Sequence, residues 1–332
     1  MKLRQVNFLL MILLGAVLAP LVADAQQTAK VARIGWMSRD TPSAPATRMD
    51  EFRHGMRELG YVEGQNYVFE ARYASGKNEL LPELVADLVR VGVDVIVAGP
   101  AEALLVAKKI TSRIPIIMTP SVDPVGMGVV ASLTHPGGNV TGITEMAPQL
   151  TPKRLELLKE IVPTLSRVAI LCQPGALSEE TFKQMLRETQ ATARSLGIQL
   201  QVVEAKGVAD LDAAFAAMVR ERADALIVLI NPTFFVQRRQ IVERAATHRL
   251  PAIYEWKEFV RSGGLISYGA DVSDVYRRAA GLVDKILKGA KPADLPVEGP
   301  TRFELAVNFK AANALGLTIP QSVRAQAFEA IE

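Results

Sequence analysis

A single cysteine, Cys172, stands in a chain of 332 residues. No internal disulfide can form, so the fold must rest on its apolar cores. Cys172 itself ends the apolar run Val168-Ala169-Ile170-Leu171, where a thiol packs as a small hydrophobe. Histidine is almost as scarce: His54, His135 and His248 fall in separate helix and turn contexts, without the spacing of a metal site. There is no Gly-x-Ser-x-Gly elbow and no Walker-type phosphate loop. Gly126-Met127-Gly128 lacks both the third glycine and the directly preceding strand of a dinucleotide fingerprint. The formal net charge is only +3, and no Lys/Arg stripe concentrates it, which argues against a nucleic-acid partner. Reactions at neutral pH need a tuned acid, base or nucleophile. None stands out, so the sequence reads as a non-enzyme without metal or cofactor.

What is present begins at the N-terminus. Lys2 and Arg4 precede an uncharged apolar run, and Ala23-Asp24-Ala25 follows as a small-x-small cleavage site. That order predicts a secretory signal peptide over residues 1–25. The apolar stretch from Phe8 to Ala23 falls short of the roughly 18 to 20 residues a spanning helix needs. No cysteine follows the expected cut, so a lipid anchor there is not expected. The mature chain is expected to start at Gln26 and to work in the periplasm.

After Gln26, short β-branched runs alternate with helical segments. Val31–Met37 leads to a helix over Ala46–Leu59 that stops at Gly60. Tyr67–Tyr73, a helix over Glu79–Val91, Val93–Ala98, a helix over Ala101–Ile110, Ile114–Thr119 and Val140–Ile143 complete the first half. The second half repeats the plan: Val168–Leu171, a helix over Glu179–Leu196, Leu200–Glu204, a helix over Ala209–Glu221, Ala225–Ile230, a helix over Phe235–Arg249, Pro251–Tyr254 and Leu265–Tyr268. Runs such as Leu226-Ile227-Val228-Leu229-Ile230 are continuously apolar, as strands covered by helices on both faces must be. The fold class is therefore α/β, with two doubly wound, mainly parallel lobes joined by a hinge of several crossings. Lobe 1 is expected over 26–144 plus 272–300, and lobe 2 over 145–271 plus 301–332.

In open parallel sheets, ligands collect beyond the carboxyl ends of the strands. That rule selects Ser38 and Asp40 after the first strand, Ala101 and Glu102 after the third, and Thr119, Ser121 and Asp123 after the fourth. On the second lobe it selects Asn231, Tyr254 and Trp256, with Tyr268 and Asp271 at the hinge. Each also has a structural explanation. Ser38 and Asp40 suit loop and cap positions, Glu102 suits the positive end of a helix dipole, and Asp123-Pro124 initiates a turn. Trp256 is one of two tryptophans, and offers either a stacking surface or a core side chain.

Several stretches resemble the ABC-transporter substrate-binding proteins of the tryptophan/tyrosine-binding type. They are Ile114–Ile117, Asp123-Pro124-Val125-Gly126, Ala131-Ser132-Leu133, Pro136–Gly142, Lys153–Glu160, Gly263–Gly269 and Asn313–Pro320. The resemblance runs across nearly the whole mature chain with the motifs in order. It implies a periplasmic binding protein of type I fold that closes on a small solute, such as an amino acid or another small carboxylate. The implied partners are the transmembrane subunits of an ABC permease, with its ATPase on the cytoplasmic side; the protein itself is expected to be a monomer. The amino-acid binders hold the ligand carboxylate at the helix after the third strand, where this chain reads Pro100-Ala101-Glu102. Alternative readings are a ligand sensor feeding a membrane receptor and an exported enzyme. A repressor of the same architecture would carry a DNA-binding helix pair where the signal peptide stands.

Overall fold

The computed structural model describes residues 31–39, 41–43, 47–99, 101–229 and 231–332. The signal peptide expected over residues 1–25, and Asp40, lie outside the described residues. The first half contains β1 (Ala32–Ser38), α1 (Thr47–Glu58), β2 (Tyr67–Tyr73), α2 (Leu81–Arg90), β3 (Val95–Ala98), α3 (Ala101–Ile110), β4 (Ile116–Ser121) and β5 (Val140–Thr144). These strands form one sheet in the order β2-β1-β3-β4-β5. Every pairing in it is parallel.

The chain then supplies α4 (Thr151–Ile161), β6 (Arg167–Cys172), α5 (Glu179–Ser195), β7 (Gln199–Glu204), α6 (Val208–Arg220) and β8 (Ala225–Val228). Next come α7 (Pro232–Val236), α8 (Arg238–Thr247), β9 (Ala252–Tyr254), α9 (Lys257–Arg261) and β10 (Ile266–Ala270). α10 (Val272–Leu287) leads by way of 288–302 to β11 (Phe303–Asn308), α11 (Phe309–Leu315), α12 (Gln321–Gln326) and β12 (Glu329–Ile331). The second sheet has the order β12-β11-β10-β9-β8-β6-β7. Its pairings are parallel except that of β10 with β11.

Alternation along the strands explains the continuous apolar runs. On β3, Val95 and Val97 pack into one cluster with Ile34, Trp36 and Phe52, while Ile96 and Ala98 pack on the opposite face with Leu81, Leu88 and Leu104. On β8, Ala225 and Ile227 face the cluster containing Leu155 and Leu158, and Leu226 and Val228 face the one containing Phe215 and Phe234. Each sheet thus carries a core on both faces. Each fully buried large apolar side chain contributes on the order of 1.5–3 kcal/mol. Cys172 belongs to one of these cores, and burial pushes its thiol up to about 11.

Two elements depart from the expected plan. The helix expected over Phe235–Arg249 is two helices. Asn231 caps the first through Oδ1, which accepts the Phe234 N–H at 2.9 Å, and Pro232 occupies a first-turn position where no N–H is needed. Gln237 separates them with φ −90° and ψ 8°. The three-residue strand β12, parallel to β11, is too short to leave a period in the sequence.

The chain passes between the sheets at 145–150, at Asp271 and at 299–302. After the second passage α10 lies against α1 and β4. That packing needs Gly55, because a Cβ there would overlap the Arg277 carbonyl and come within 2.9 Å of the Ala280 Cβ. No helix among the described residues is long and apolar enough to cross a membrane.

Candidate functional site

A cavity of about 430 Å³ opens between the two sheets. One wall is the start of α1 (Thr47, Arg48) with the passage into α10 (Ala270, Val272, Ser273, Tyr276). The other comes from α7 and α8 (Phe235, Arg238), from the turn between β9 and α9 with α9 itself (Glu255 to Glu258, Arg261), and from Glu304 on β11. The size suits a small organic solute.

Trp256 anchors the aromatic side. It precedes α9 with extended backbone, and its Nε1–H donates to Glu145 Oε2 at 2.8 Å. Phe235 meets it edge-on, with ring centroids 5.0 Å apart and planes at 74°. The Arg48 guanidinium carbon lies 5.8 Å from the centre of the Trp256 ring, and that of Arg238 lies 4.8 Å from the centre of Phe235. Tyr276 closes the opposite wall and donates its hydroxyl to the Thr119 carbonyl at 3.3 Å.

Behind Trp256 lies a cluster of buried charge. Glu145, Arg154 and Glu255 are 2%, 0% and 3% exposed. Arg154 donates through Nε to the Tyr268 carbonyl at 2.8 Å and through Nη1 to the Ala147 carbonyl at 3.0 Å, and its Nη2 lies 3.6 Å from Glu255 Oε2. The two carboxyl groups hydrogen-bond to each other. Loss of solvation raises both, and for Glu255 the neighbouring Glu145 charge and the shared hydrogen bond raise it further, while Arg154 opposes the rise. Each carboxylate in one dry site disfavours ionisation of the other, so the pair holds a proton more tightly than either group would alone. Arg154 balances the remaining negative charge.

Trp256 is the expected site residue that lines this cavity among those described. Tyr254 belongs to the core: it is 1% exposed and its ring stacks on Phe259 at 4.7 Å. It points away from Glu255 because adjacent residues of extended chain face opposite sides. Asn231 and Asp271 serve as helix caps, Asp271 accepting the Asp274 N–H at 3.1 Å. Tyr268 stacks on Phe303 at 5.9 Å and takes part in the cluster only through its carbonyl. Ser38 ends β1 and is buried, Ala101 opens α3, and Glu102 in its first turn pairs with Arg39 at 3.5 Å. Thr119 and Ser121, at the end of β4, are buried, and their hydroxyls have no partner among the described residues.

Asp123 links the sheets elsewhere. Oδ1 accepts the Gly126 N–H and the Thr181 hydroxyl, and Oδ2 accepts the Ser178 N–H, each at 2.9 Å. A carboxylate at the start of a long helix is favoured by the unpaired N–H groups there. Gly126 permits the approach, since a Cβ would overlap the Ser178 hydroxyl and the Asp123 carboxylate.

Sequence reasoning missed Arg48, Phe235, Arg238, Glu145 and Arg154. The first three lie on helices beyond the strand-end loops. Glu145 sat in a polar linker, and Arg154 read as one of several charges on a helix. Among the described residues, no three or more His, Cys, Asp or Glu side chains are grouped to hold a metal.

The chain matches the model of a family described as ABC transporter substrate binding protein over residues 40–331. A tyrosine-binding protein of Clostridioides difficile is 26% identical over 272 residues, covering 80% of this chain and 75% of that protein. A Streptococcus pneumoniae ABC domain in complex with L-Trp superposes with a TM-score of 0.76 at 26% identity, over 90% of this chain and all (100%) of that one. A conserved domain protein of Vibrio cholerae gives a TM-score of 0.78 at 28% identity, over 91% and 100% of the two chains. The two-lobed architecture is that of the type I periplasmic binding proteins. By the extent of the family match, this chain belongs to the ABC transporter substrate-binding proteins.

Proposed function

We propose that the protein is the periplasmic receptor of an ABC importer, binding one small solute between its lobes and delivering it to a membrane permease powered by a cytoplasmic ATPase. The observation that carries this reading is the cavity between the two sheets, walled by Arg48 and Tyr276 on one side and by Phe235, Arg238 and Trp256 on the other. A solute touching both walls favours the closed arrangement by its differential affinity for it. The tyrosine-binding and Trp-bound relatives support an amino acid or a related small carboxylate as solute. The role is that of a monomeric receptor, as in a family of binding proteins, and not of an enzyme. The lobes that move are 26–144 with 272–300, and 145–271 with 301–332.

Thermal-shift screening of residues 26–332 against amino acids and small carboxylates should find a solute that raises the melting temperature by mass action. Small-angle scattering should then show a smaller radius of gyration at saturation. A verified tight ligand that leaves the radius unchanged would contradict the closing receptor.

A further inference from the structure

The ionisable groups lining the cavity are Arg48, Arg238, Lys257 and Arg261 against Glu255, Glu258 and Glu304. Most of these already answer one another. Lys257 donates to Glu304 at 2.8 Å, and Arg261 grips Glu329 through Nε and Nη2, both at 2.8 Å, with Glu258 close enough to add to its field. Glu255 faces Arg154 Nη2 at 3.6 Å, with Glu145 beside it. Arg238 is different. Its Nη1 donates to the Phe235 carbonyl at 2.9 Å, its Nε is buried without a partner, and no carboxylate lies within ion-pair distance among the described residues. Its guanidinium carbon lies over the Phe235 ring, 4.8 Å from its centre, on the cavity side that also carries Trp256.

We propose that the cavity selects a solute with a planar apolar body and an anionic carboxylate, held by Arg238 and lacking any need for an α-ammonium group. This rests on the receptor reading and narrows its ligand. A carboxylate accepts from a guanidinium with charge-assisted hydrogen bonds, and a supporting ring keeps that guanidinium from turning away. The planar body lies between the Phe235–Trp256 corner and Tyr276. An ammonium group finds little to answer it: Glu255 already faces Arg154, Glu304 is engaged by Lys257, and Glu258 lies in the field of Arg261. Thus the preference differs from that expected for a zwitterionic amino acid.

Three indoles of similar shape separate the charges: indole-3-propionate, L-tryptophan and tryptamine, each titrated calorimetrically into residues 26–332. Indole-3-propionate should bind at least tenfold tighter than L-tryptophan, and tryptamine should give no saturable heat. Arg238→Gln should weaken indole-3-propionate tenfold or more with an unchanged melting temperature, and Arg238→Lys should restore part of the loss. L-tryptophan binding tighter than indole-3-propionate, tryptamine binding comparably, or full affinity in Arg238→Gln each overturns the proposal. Binding of none of the three also overturns it, and leaves the receptor role to the wider screen. Binding of indole-3-propionate without compaction in scattering upholds the ligand class and sinks the closing receptor.

Discussion

Asp123 and Glu145 each carry a carboxylate from the end of the first sheet to the second, but their surroundings differ. Asp123 is met by three neutral donors, the Ser178 N–H and Thr181 hydroxyl at the start of α5 and the Gly126 N–H of its own turn, away from any passage of the chain between sheets. Water can supply the same hydrogen bonds when the lobes part. Glu145 stands on a covalent crossing and is enclosed by Trp256, Glu255 and Arg154, with protonation and a counter-charge needed to keep it there. Water cannot easily substitute in that cluster. One bridge is suited to opening and the other to holding the pivot while it opens.

The largest effect should follow from breaking the buried cluster. Arg154→Met leaves the acid pair without its cation, and loss of one partner in a buried ion pair costs about 3 kcal/mol or more. Chemical denaturation should show that loss, with the radius of gyration of the folded state unchanged. A cost below about 1 kcal/mol would place the cluster on a par with exposed pairs and remove the contrast.

Breaking the other bridge should do the reverse. Asp123→Ala removes charge-assisted hydrogen bonds worth roughly 1.5–3 kcal/mol to the closed arrangement. Scattering from the solute-free variant should report a larger radius than wild type, with Asp123→Asn between them. Equal radii in all three would mean that Asp123 serves its own turn and does not latch the lobes.

A smaller effect comes from pH. Glu255 is raised well above its ordinary 4.5 in the folded chain by burial first, then by Glu145, against the pull of Arg154. Between the unfolded and folded values the native state binds the extra proton, so stability is full below about 4.5 and declines as pH rises toward the folded value. The decline is at most about 1.4 kcal/mol per pH unit for this proton. Glu255→Gln, an isostere of the protonated acid, should flatten that decline above the ordinary value of 4.5. An equal slope in the two proteins would mean that the pair holds no proton. The Arg48 charge also reaches Glu145 and pulls against the rise there.

The sequence made the parallel sheets legible because strands buried on both faces leave continuous apolar runs, as on β3 and β8. Helix stops were legible where glycine takes a left-handed conformation, Gly60 at φ 84° and Gly197 at φ 68°. The site was harder to read. The strand-end rule led equally to Tyr254 and Trp256, yet Tyr254 turns to the core while Trp256, with Glu255 and Lys257 on either side, lines the cavity. No periodicity distinguishes a helix-start arginine such as Arg48 or Arg238 from a solvated one. Arg154 sits in the run Lys153-Arg154-Leu155-Glu156, and only the tertiary approach of Glu255 and Tyr268 reveals that it is fully buried.

The interlobe site can be tested through the two tryptophans. Trp36 is buried against Phe52, Phe69 and Tyr276, so Trp36→Phe leaves Trp256 as the sole indole of the protein. Titrating that variant with a non-indole solute found by thermal shift should change the Trp256 emission saturably, with the same Kd as calorimetry. Calorimetric binding with unchanged Trp256 emission would put the solute outside the cavity and contradict a site between the lobes.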